Sequence, residues 1–123
     1  PGKSLADLHR GLPKTWQSPT MSPHCGDEVK YGVVDRVIAH YKGISAKGGT
    51  IAGQKVRELI DVNGIRVVLA DGTWGLVRAS SNKPELVVVV ESPVSEANMR
   101  AIFADIDGVL GTFPEVGEYN QKI

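Results

Sequence analysis

Hydrophobic residues between positions 27 and 41 recur at intervals of three and four, which is the spacing of one face of an α-helix. They are Val29, Val33, Val34, Val37, Ile38 and Tyr41. Gly26 and Asp27 are suitable for capping the start of such a helix, and Gly43 is suitable for ending it. We therefore predict a helix from about Asp27 to Tyr41.

A second helical pattern follows Pro93 near the end of the chain. Its apolar members are Val94, Ala97, Met99, Ala101, Ile102, Ile106 and Leu110. Pro93 suits the first turn of a helix, and Ser95 is an alternative cap. The pattern predicts a helix over about 94–110. Residues 111–123 are polar, contain Pro114 and two glycines, and are predicted to form a surface tail.

Four segments between these helices have the composition of β-strands, namely 55–62, 64–70, 74–79 and 85–91. Asn63-Gly64 tolerates positive φ and suits a tight hairpin turn between the first two. The last contains four consecutive valines, as expected of a strand that is covered on both faces. The preceding segment 45–53 contains Gly48-Gly49 and few apolar residues, and it is predicted to be a flexible connection.

This order of elements predicts an α+β fold, with a mainly antiparallel four-stranded sheet and both helices packed on one face. The segment Lys14-Thr15-Trp16-Gln17 would add a fifth strand at the edge, because prolines flank it without interrupting it. Four of the seven prolines fall in the first 25 residues. We predict an irregular linker at 1–25, the domain at 26–110 and the tail at 111–123.

Composition narrows the class of function. Fourteen basic residues balance fourteen acidic ones, so no net charge recruits nucleic acid or an anionic membrane. No apolar run approaches the roughly 20 residues that cross a bilayer. The single cysteine, Cys25, excludes an internal disulfide framework and leads us to expect the cytoplasm. Because the chain begins Pro1-Gly2-Lys3, without an initiator Met or an apolar signal segment, we expect it to be a piece of a longer protein.

The connection between the third and fourth predicted strands, RASSNKP, consists almost entirely of hydrogen-bond donors. The candidate anion-binding residues are Arg78, Ser80, Ser81, Asn82 and Lys83. A guanidinium fork matches phosphate oxygens, and the hydroxyls, the amide and the ammonium also donate. Backbone N–H groups of a tight loop can converge on an anion, and Pro84 would stiffen its exit. The same residues are also common in solvated turns, and chemistry alone leaves both interpretations open.

The stretch from Asn63 through Glu91, NGIRVVLADGTWGLVRASSNKPELVVVVE, resembles the C-terminal domain of the α-D-phosphohexomutases, the superfamily of phosphomannomutase and phosphoglucomutase. Members read D-G-(V/I)-(R/K)-V, a turn, G-W-x-L-V-R-(A/P)-S-(N/G)-T-(T/E)-P and an apolar strand that ends in Glu. This chain departs at Ser81, Asn82 and Lys83, and each departure keeps a donor. Two upstream stretches resemble the superfamily's strand and helix entry more loosely, namely Trp16-Gln17-Ser18-Pro19 and Asp27-Glu28-Val29-Lys30.

The resemblance implies a domain of an isomerase that interconverts hexose 1-phosphate and 6-phosphate, with mannose or glucose as the sugar. In such enzymes a phosphoserine in the first domain transfers phosphoryl through a bisphosphate intermediate, while the C-terminal loop holds the phosphate that is not transferred. The resemblance makes Arg78 the principal contact. Its partners would be the hexose phosphate, the hexose bisphosphate and the other domains of the enzyme, with no nucleic acid or membrane.

Other parts of such an enzyme have no match in this sequence. It contains no T-A-S-H-N-P serine loop, no Asp-Gly-Asp-x-Asp-Arg magnesium loop and no G-E-M-S-G-H specificity loop. Asp105-Ile106-Asp107-Gly108 is similar to the magnesium loop but lacks its third Asp and its Arg. We therefore expect no catalytic or metal-binding residue and no cofactor in this fragment, which should be inactive alone, and magnesium in the full-length enzyme.

The alternative to an enzyme domain is a non-catalytic module that binds a protein or an anion. His24-Cys25 has the residue types of a metal ligand pair or a reactive thiol, but no second cysteine is present and an ordinary loop pair is favoured. Trp74 is of a type that stacks on ligands, but on a strand, packing in the core or the hairpin is favoured.

Overall fold

Two helices and eight strands make up residues 15–123, the part of the chain that the computed structural model describes. In order they are β1 (Trp16–Gln17), β2 (Pro23–Cys25), α1 (Lys30–Ala46), β3 (Thr50–Ile51), β4 (Gln54–Ile60), β5 (Ile65–Leu69), β6 (Trp74–Ala79), β7 (Leu86–Ser92), α2 (Glu96–Leu110) and β8 (Val116–Tyr119). The predicted α+β class is confirmed. The linker predicted at 1–25 lies largely outside the described residues.

The main sheet has six antiparallel strands in the order β1-β7-β6-β5-β4-β3, which is more than the four or five predicted. β1 lies within the edge strand predicted at 14–17, and it pairs with β7. The additional strand, β3, lies in the segment predicted to be a flexible connection. Thr50 and Ile51 pair with Lys55 and Gln54, and Ile51 is only 1% exposed. Although the segment 45–53 has no periodic pattern, burial of Ile51 favours the strand that forms there.

The C-terminal segment also differs from its prediction. β8, in the predicted surface tail, pairs with β2 in a second, two-stranded sheet. Its Tyr119 ring lies edge-on to Phe103, 5.8 Å between centroids, so the segment packs on the hydrophobic core. Residues on the two sides of the predicted boundaries at 25 and 110 are therefore in contact, and the division itself stays a prediction.

The core forms between one face of the main sheet and the two helices. Both helices contact β6, and Ile106 of α2 lies directly over Gly75, where a larger side chain would not fit. The buried side chains from this face of the sheet include Ile65, Val67, Val77, Leu86, Val88 and Val90. Those from the helices include Val33, Val37, Tyr41, Ile102, Ile106 and Leu110. They form a single cluster, which holds the strand ends in place.

The helices follow the predicted patterns but not all of the predicted ends. α1 continues through Gly43 to Ala46. The turn at Gly48, which has φ 68°, ends it, and the N–H groups of Gly48 and Gly49 donate to the carbonyls of Ser45 and Ile44. α2 begins after Ser95, whose side chain accepts a hydrogen bond from the N–H of Asn98 at 3.0 Å, so the alternative cap is confirmed. Across the described range 15–123, neither helix is long and apolar enough to cross a membrane.

Candidate anion-binding site

The candidate residues lie at one end of the main sheet, where β6 leads into β7. We use the name β6–β7 loop for residues 78–84, which are the last two residues of β6 and the connection that follows them. Its entry is fixed by the pairing of Arg78 with Val87, and the N–H of Ser80 donates to the carbonyl of Glu85 at 2.9 Å. Both strands run through the core, so the sheet holds the ends of the loop at a defined spacing. The predicted location of RASSNKP between two strands is therefore confirmed.

Within the loop, Ser80 has a role that the sequence did not reveal. Its Oγ accepts hydrogen bonds from the backbone N–H groups of Asn82 and Lys83, each at 3.3 Å. These bonds bend the chain back over Ser80, as serine does in turns. The hydroxyl hydrogen of Ser80 can still donate to an anion, so this residue can shape the turn and bind at once.

The other side-chain donors of the loop have almost no partners among residues 15–123. Ser81, Asn82 and Lys83 are exposed, and within residues 15–123 their side chains make no hydrogen bond or ion pair. The Arg78 guanidinium donates only one long bond, from Nη1 to the Ala79 carbonyl at 3.3 Å, and no carboxylate of the described residues pairs with it. The loop therefore carries two cationic groups and several neutral donors that an anion can occupy.

A cleft of about 620 Å³ lies beside the loop, between α1 and the β4–β5 hairpin. Arg78 and Ser81 line it from the loop, Tyr31 from the helix and Asn63 from the hairpin. Lys83 borders a different cleft, of about 310 Å³, and Ser80 and Asn82 line neither. The structure thus brings Arg78 and Ser81 to one cavity and directs Lys83 elsewhere.

The β4–β5 hairpin packs directly against the first residue of the loop. Asn63 (φ 57°) and Gly64 (φ 129°) have the predicted positive φ, but the connection between Ile60 and Ile65 is four residues long and not the predicted tight turn. A Cβ on Gly64 would lie 2.4 Å from the Val77 carbonyl oxygen and 2.6 Å from the Cβ of Arg78. The glycine therefore serves the turn and also lets the hairpin support Arg78, a second role that only the tertiary structure reveals.

Sequence reasoning also missed Lys30, the first residue of α1. Its side chain is buried, and Nζ donates to Asp27 Oδ1 at 2.8 Å and to the carbonyl of Lys83 at 3.0 Å. The predicted cap at Asp27 is wrong, since α1 has no side-chain cap bond and Asp27 pairs with this ammonium instead. The available signal was the Asp27-Glu28-Val29-Lys30 stretch, which showed only a loose family similarity.

Charges around the cleft are partly paired. Asp61, which lines it, contacts the Lys42 ammonium at 2.7 Å, and the hydrogen bond from Lys42 holds the pKa of that carboxyl below its usual value. Asp61 is therefore an anion with its own partner. Asp35 also lines the cleft and is exposed. Because these carboxylates repel an anion from the interior of the cleft, the loop is the more favourable place for an anion to bind.

The other candidate residues occupy structural positions. Cys25 is buried, which raises the pKa of its thiol, and its N–H donates to the Pro84 carbonyl at 2.8 Å. Asp105 accepts a hydrogen bond from the Tyr41 hydroxyl at 2.8 Å. Trp74 is half-buried, with the Arg66 guanidinium 4.5 Å from its ring centroid. In the portion that the structure describes, no three His, Cys, Asp or Glu side chains are grouped as metal ligands would be.

Comparison with known proteins finds the same family that the sequence resembles. Residues 33–109 match the family described as phosphoglucomutase/phosphomannomutase, C-terminal domain. A phosphopentomutase from Thermococcus kodakarensis is 29% identical over 92 residues, covering 75% of this chain. The fold is similar to that of a phosphoglucomutase/phosphomannomutase family protein from Burkholderia thailandensis, with a TM-score of 0.61 at 23% identity over 85% of this chain. The chain spans 19% of the length of each.

Proposed function

The chain belongs to the phosphoglucomutase/phosphomannomutase C-terminal domain family, and from that premise we propose that its β6–β7 loop binds the phosphate of a sugar phosphate within a longer phosphomutase. The observation that carries the proposal is the set of donors in this loop. Arg78, Ser81, Asn82 and Lys83 are held between two core strands, yet the described protein leaves their side chains almost without partners. A dianionic phosphate matches this set of donors in charge and in number.

Each side chain has a defined part in the proposed site. Arg78 grips two phosphate oxygens with its planar fork, and Ser80 and Ser81 donate from their hydroxyls. Asn82 adds an amide donor, and Lys83 adds a positive charge from the other side of the loop. Hydrogen bonds of this charged kind contribute about 1.5 to 3 kcal/mol each when one partner is removed. Arg78 is the principal contact because the hairpin at Gly64 supports it.

In the reaction we propose, the loop holds the phosphate that is not being transferred. A phosphoserine of another domain passes phosphoryl to the sugar phosphate, and the bisphosphate turns over before the second transfer. Binding energy from the remote phosphate then orients the reacting end. A loop that contacts phosphate and not sugar serves both orientations. Serine, magnesium and sugar selectivity would reside in the other domains, so the 123-residue chain alone is inactive.

The substrate class we propose is hexose phosphate, with mannose or glucose as the sugar. The Thermococcus relative is named a phosphopentomutase, so a pentose phosphate is tested beside the hexoses. The phosphate is common to both classes, and the loop binds that shared group. We also propose a cytoplasmic location, in keeping with the single, buried Cys25.

Titration of the chain with inorganic phosphate, glucose 1-phosphate and ribose 5-phosphate tests the proposal. We expect weak binding of all three, because one domain supplies few of the contacts. Arg78→Ala should weaken each by about tenfold or more. Arg57→Ala, which removes the same charge from an exposed position on β4, is the matched control and should bind as the wild type does. Equal affinities for Arg78→Ala and Arg57→Ala would contradict the site and favour the non-catalytic module.

A further inference from the structure

The ammonium of Lys30 lies buried behind the β6–β7 loop. The residue is 4% exposed, and its Nζ has two hydrogen-bond acceptors, Asp27 Oδ1 at 2.8 Å and the Lys83 carbonyl oxygen at 3.0 Å. A lysine in the first turn of a helix can extend into water, and a buried ammonium is unfavourable unless it is paired. The partners therefore account for the position of this side chain.

Of these two partners, only the carbonyl ties Lys30 to a distant part of the fold. Asp27 is three residues away, and its side chain is 69% exposed. Lys83 is 53 residues away and belongs to the loop. α1 itself does not depend on this contact, because its apolar face packs in the core at Val33, Val37 and Tyr41. The contact between Lys30 and Lys83 therefore holds the β6–β7 loop in place and is not needed to hold α1.

The Lys30 contact completes a set of bonds at the loop exit. The Lys83 carbonyl also accepts the N–H of Glu85 at 2.8 Å, and the Pro84 carbonyl accepts the N–H of Cys25 at 2.8 Å. Two successive carbonyl groups are therefore held from the side of α1 and β2. The entry is held independently by the pairing of Arg78 in the sheet.

We propose that Lys30 is a positioning residue for this loop, an inference that rests on the proposed phosphate-binding function. Lys30 does not touch the ligand. It acts through the Lys83 peptide, so that Ser81, Asn82 and Lys83 keep their spacing to Arg78 before the anion arrives. A loop that is ordered in advance loses less conformational entropy on binding, and contacts at hydrogen-bond distance are sensitive to shifts of about 1 Å.

The test compares Lys30→Met with Lys47→Met by phosphate titration followed through backbone amide signals. Both variants remove one lysine charge. Lys47 is an exposed residue just after the C-terminal end of α1, roughly 25 Å of helix away from Lys30. We expect Lys47→Met to bind phosphate as the wild type does. We expect Lys30→Met to bind about tenfold more weakly and its Glu85 amide to exchange with solvent faster.

A second variant and a second signal separate positioning from folding. Lys30→Gln keeps a neutral donor in the buried site, and its affinity should lie between those of the wild type and Lys30→Met. In the wild type, the ¹⁵Nζ signal of Lys30 should shift when phosphate is added, because the ammonium is bonded to the loop. This signal is measured on the wild type, so it tests the positioning role of Lys30 even if the variants do not fold.

The outcomes distinguish the two proposals. If the wild-type loop binds phosphate and Lys30→Met binds it equally well, or if the Lys30 ¹⁵Nζ signal does not move, the positioning role is overturned while the site stands. If amides 78–85 of the wild type do not respond to phosphate at all, the phosphate site fails, and with it the role of Lys30. Loss of affinity in Lys30→Met with Lys47→Met unchanged supports both.

Discussion

Polar side chains cluster at both ends of β6, but they are used in opposite ways. At the end where β5 turns into β6, Asp71 accepts hydrogen bonds from Gln54 Nε2 at 3.0 Å, Asn98 Nδ2 at 2.7 Å and the N–H of Thr73 at 2.8 Å. The Thr73 hydroxyl bonds in turn to that of Ser92 at 2.8 Å. Apart from the bond between Thr73 and Asp71 within the turn, these contacts join residues that are distant in the chain.

The β6–β7 loop at the other end contains serine, asparagine and basic residues, yet its side chains have few protein partners. Ser80 bonds to its own loop, and Arg78 makes one long contact. Residue composition alone does not separate the two ends. The difference lies in whether donors and acceptors are matched within the fold, since a matched cluster stabilises the protein and an unmatched set of donors is suited to an external anion.

The largest effect is expected from Gly64→Ala, because Gly64 packs against Arg78 at the start of the β6–β7 loop. The new Cβ meets the Val77 carbonyl at 2.4 Å, and φ 129° is strained for alanine. We expect the free energy of unfolding to fall by about 3 kcal/mol, with loss of phosphate binding. Urea unfolding measures the first effect. Gly48→Ala, which has positive φ but open space around it, is the control, and an equal loss there would show that the contact with Arg78 is unimportant.

Asp71→Ala should have the next largest effect, and on stability alone. It removes the shared acceptor of Gln54, Thr73 and Asn98, so we expect a loss of about 2 to 3 kcal/mol in the free energy of unfolding. Phosphate affinity at the loop should not change, because the two clusters lie at opposite ends of β6. A parallel loss of affinity in the folded variant would mean that the two ends are coupled.

The stabilising effect of Asp71 should also depend on pH. Burial by itself would raise the pKa of this carboxyl, but hydrogen bonds from Thr73, Asn98 and Gln54 together lower it below the usual value. A carboxyl with a lower pKa in the folded state stabilises the fold fully above its unfolded pKa of about 3.9, and this contribution is lost as the pH falls through the folded pKa. Asp71→Asn should therefore be less stable than the wild type at pH 7, and the difference should shrink as the pH falls below about 4. A difference that is constant from pH 7 to pH 3 would contradict this.

The smallest effect on stability is expected from Asn82→Ala. Its side chain is exposed and makes no hydrogen bond within residues 15–123, so the free energy of unfolding should change by less than about 0.5 kcal/mol. Phosphate binding should weaken measurably, because a donor to the anion is lost. If thermal unfolding shows a substantial loss of stability instead, Asn82 shapes the turn and the loop is less open than we describe.

Local signals predicted much of this structure correctly. β6 has the predicted bounds, Asn63 and Gly64 have the predicted positive φ, and Ser95 caps α2. Each of these depends on neighbouring residues only. β3 was missed because a strand of two residues is too short to show alternation. β8 was missed because its partner, β2, is distant in sequence.

The candidate site also has features that the sequence predicted and features that depend on residues distant in the chain. The family similarity and the donor-rich composition located the loop in the sequence, and the flanking strands followed from local pattern. The bond from Lys30 to Lys83 and the contact of Gly64 with Arg78 join residues that are far apart in the chain, and no local pattern encodes them. The unequal placement of the donors, with Arg78 and Ser81 at one cleft and Lys83 at another, also required the tertiary structure.

The most direct measurement is a map of backbone amide shifts along the wild-type chain as phosphate is added, with sodium chloride at matched ionic strength as the reference. We predict that the signals of residues 78–85 move with a common affinity, while those of 70–73 at the other end of β6 stay in place. Shifts that are equal at the two ends, or absent from the loop, would contradict the claim that the unmatched donors of the β6–β7 loop form a phosphate site.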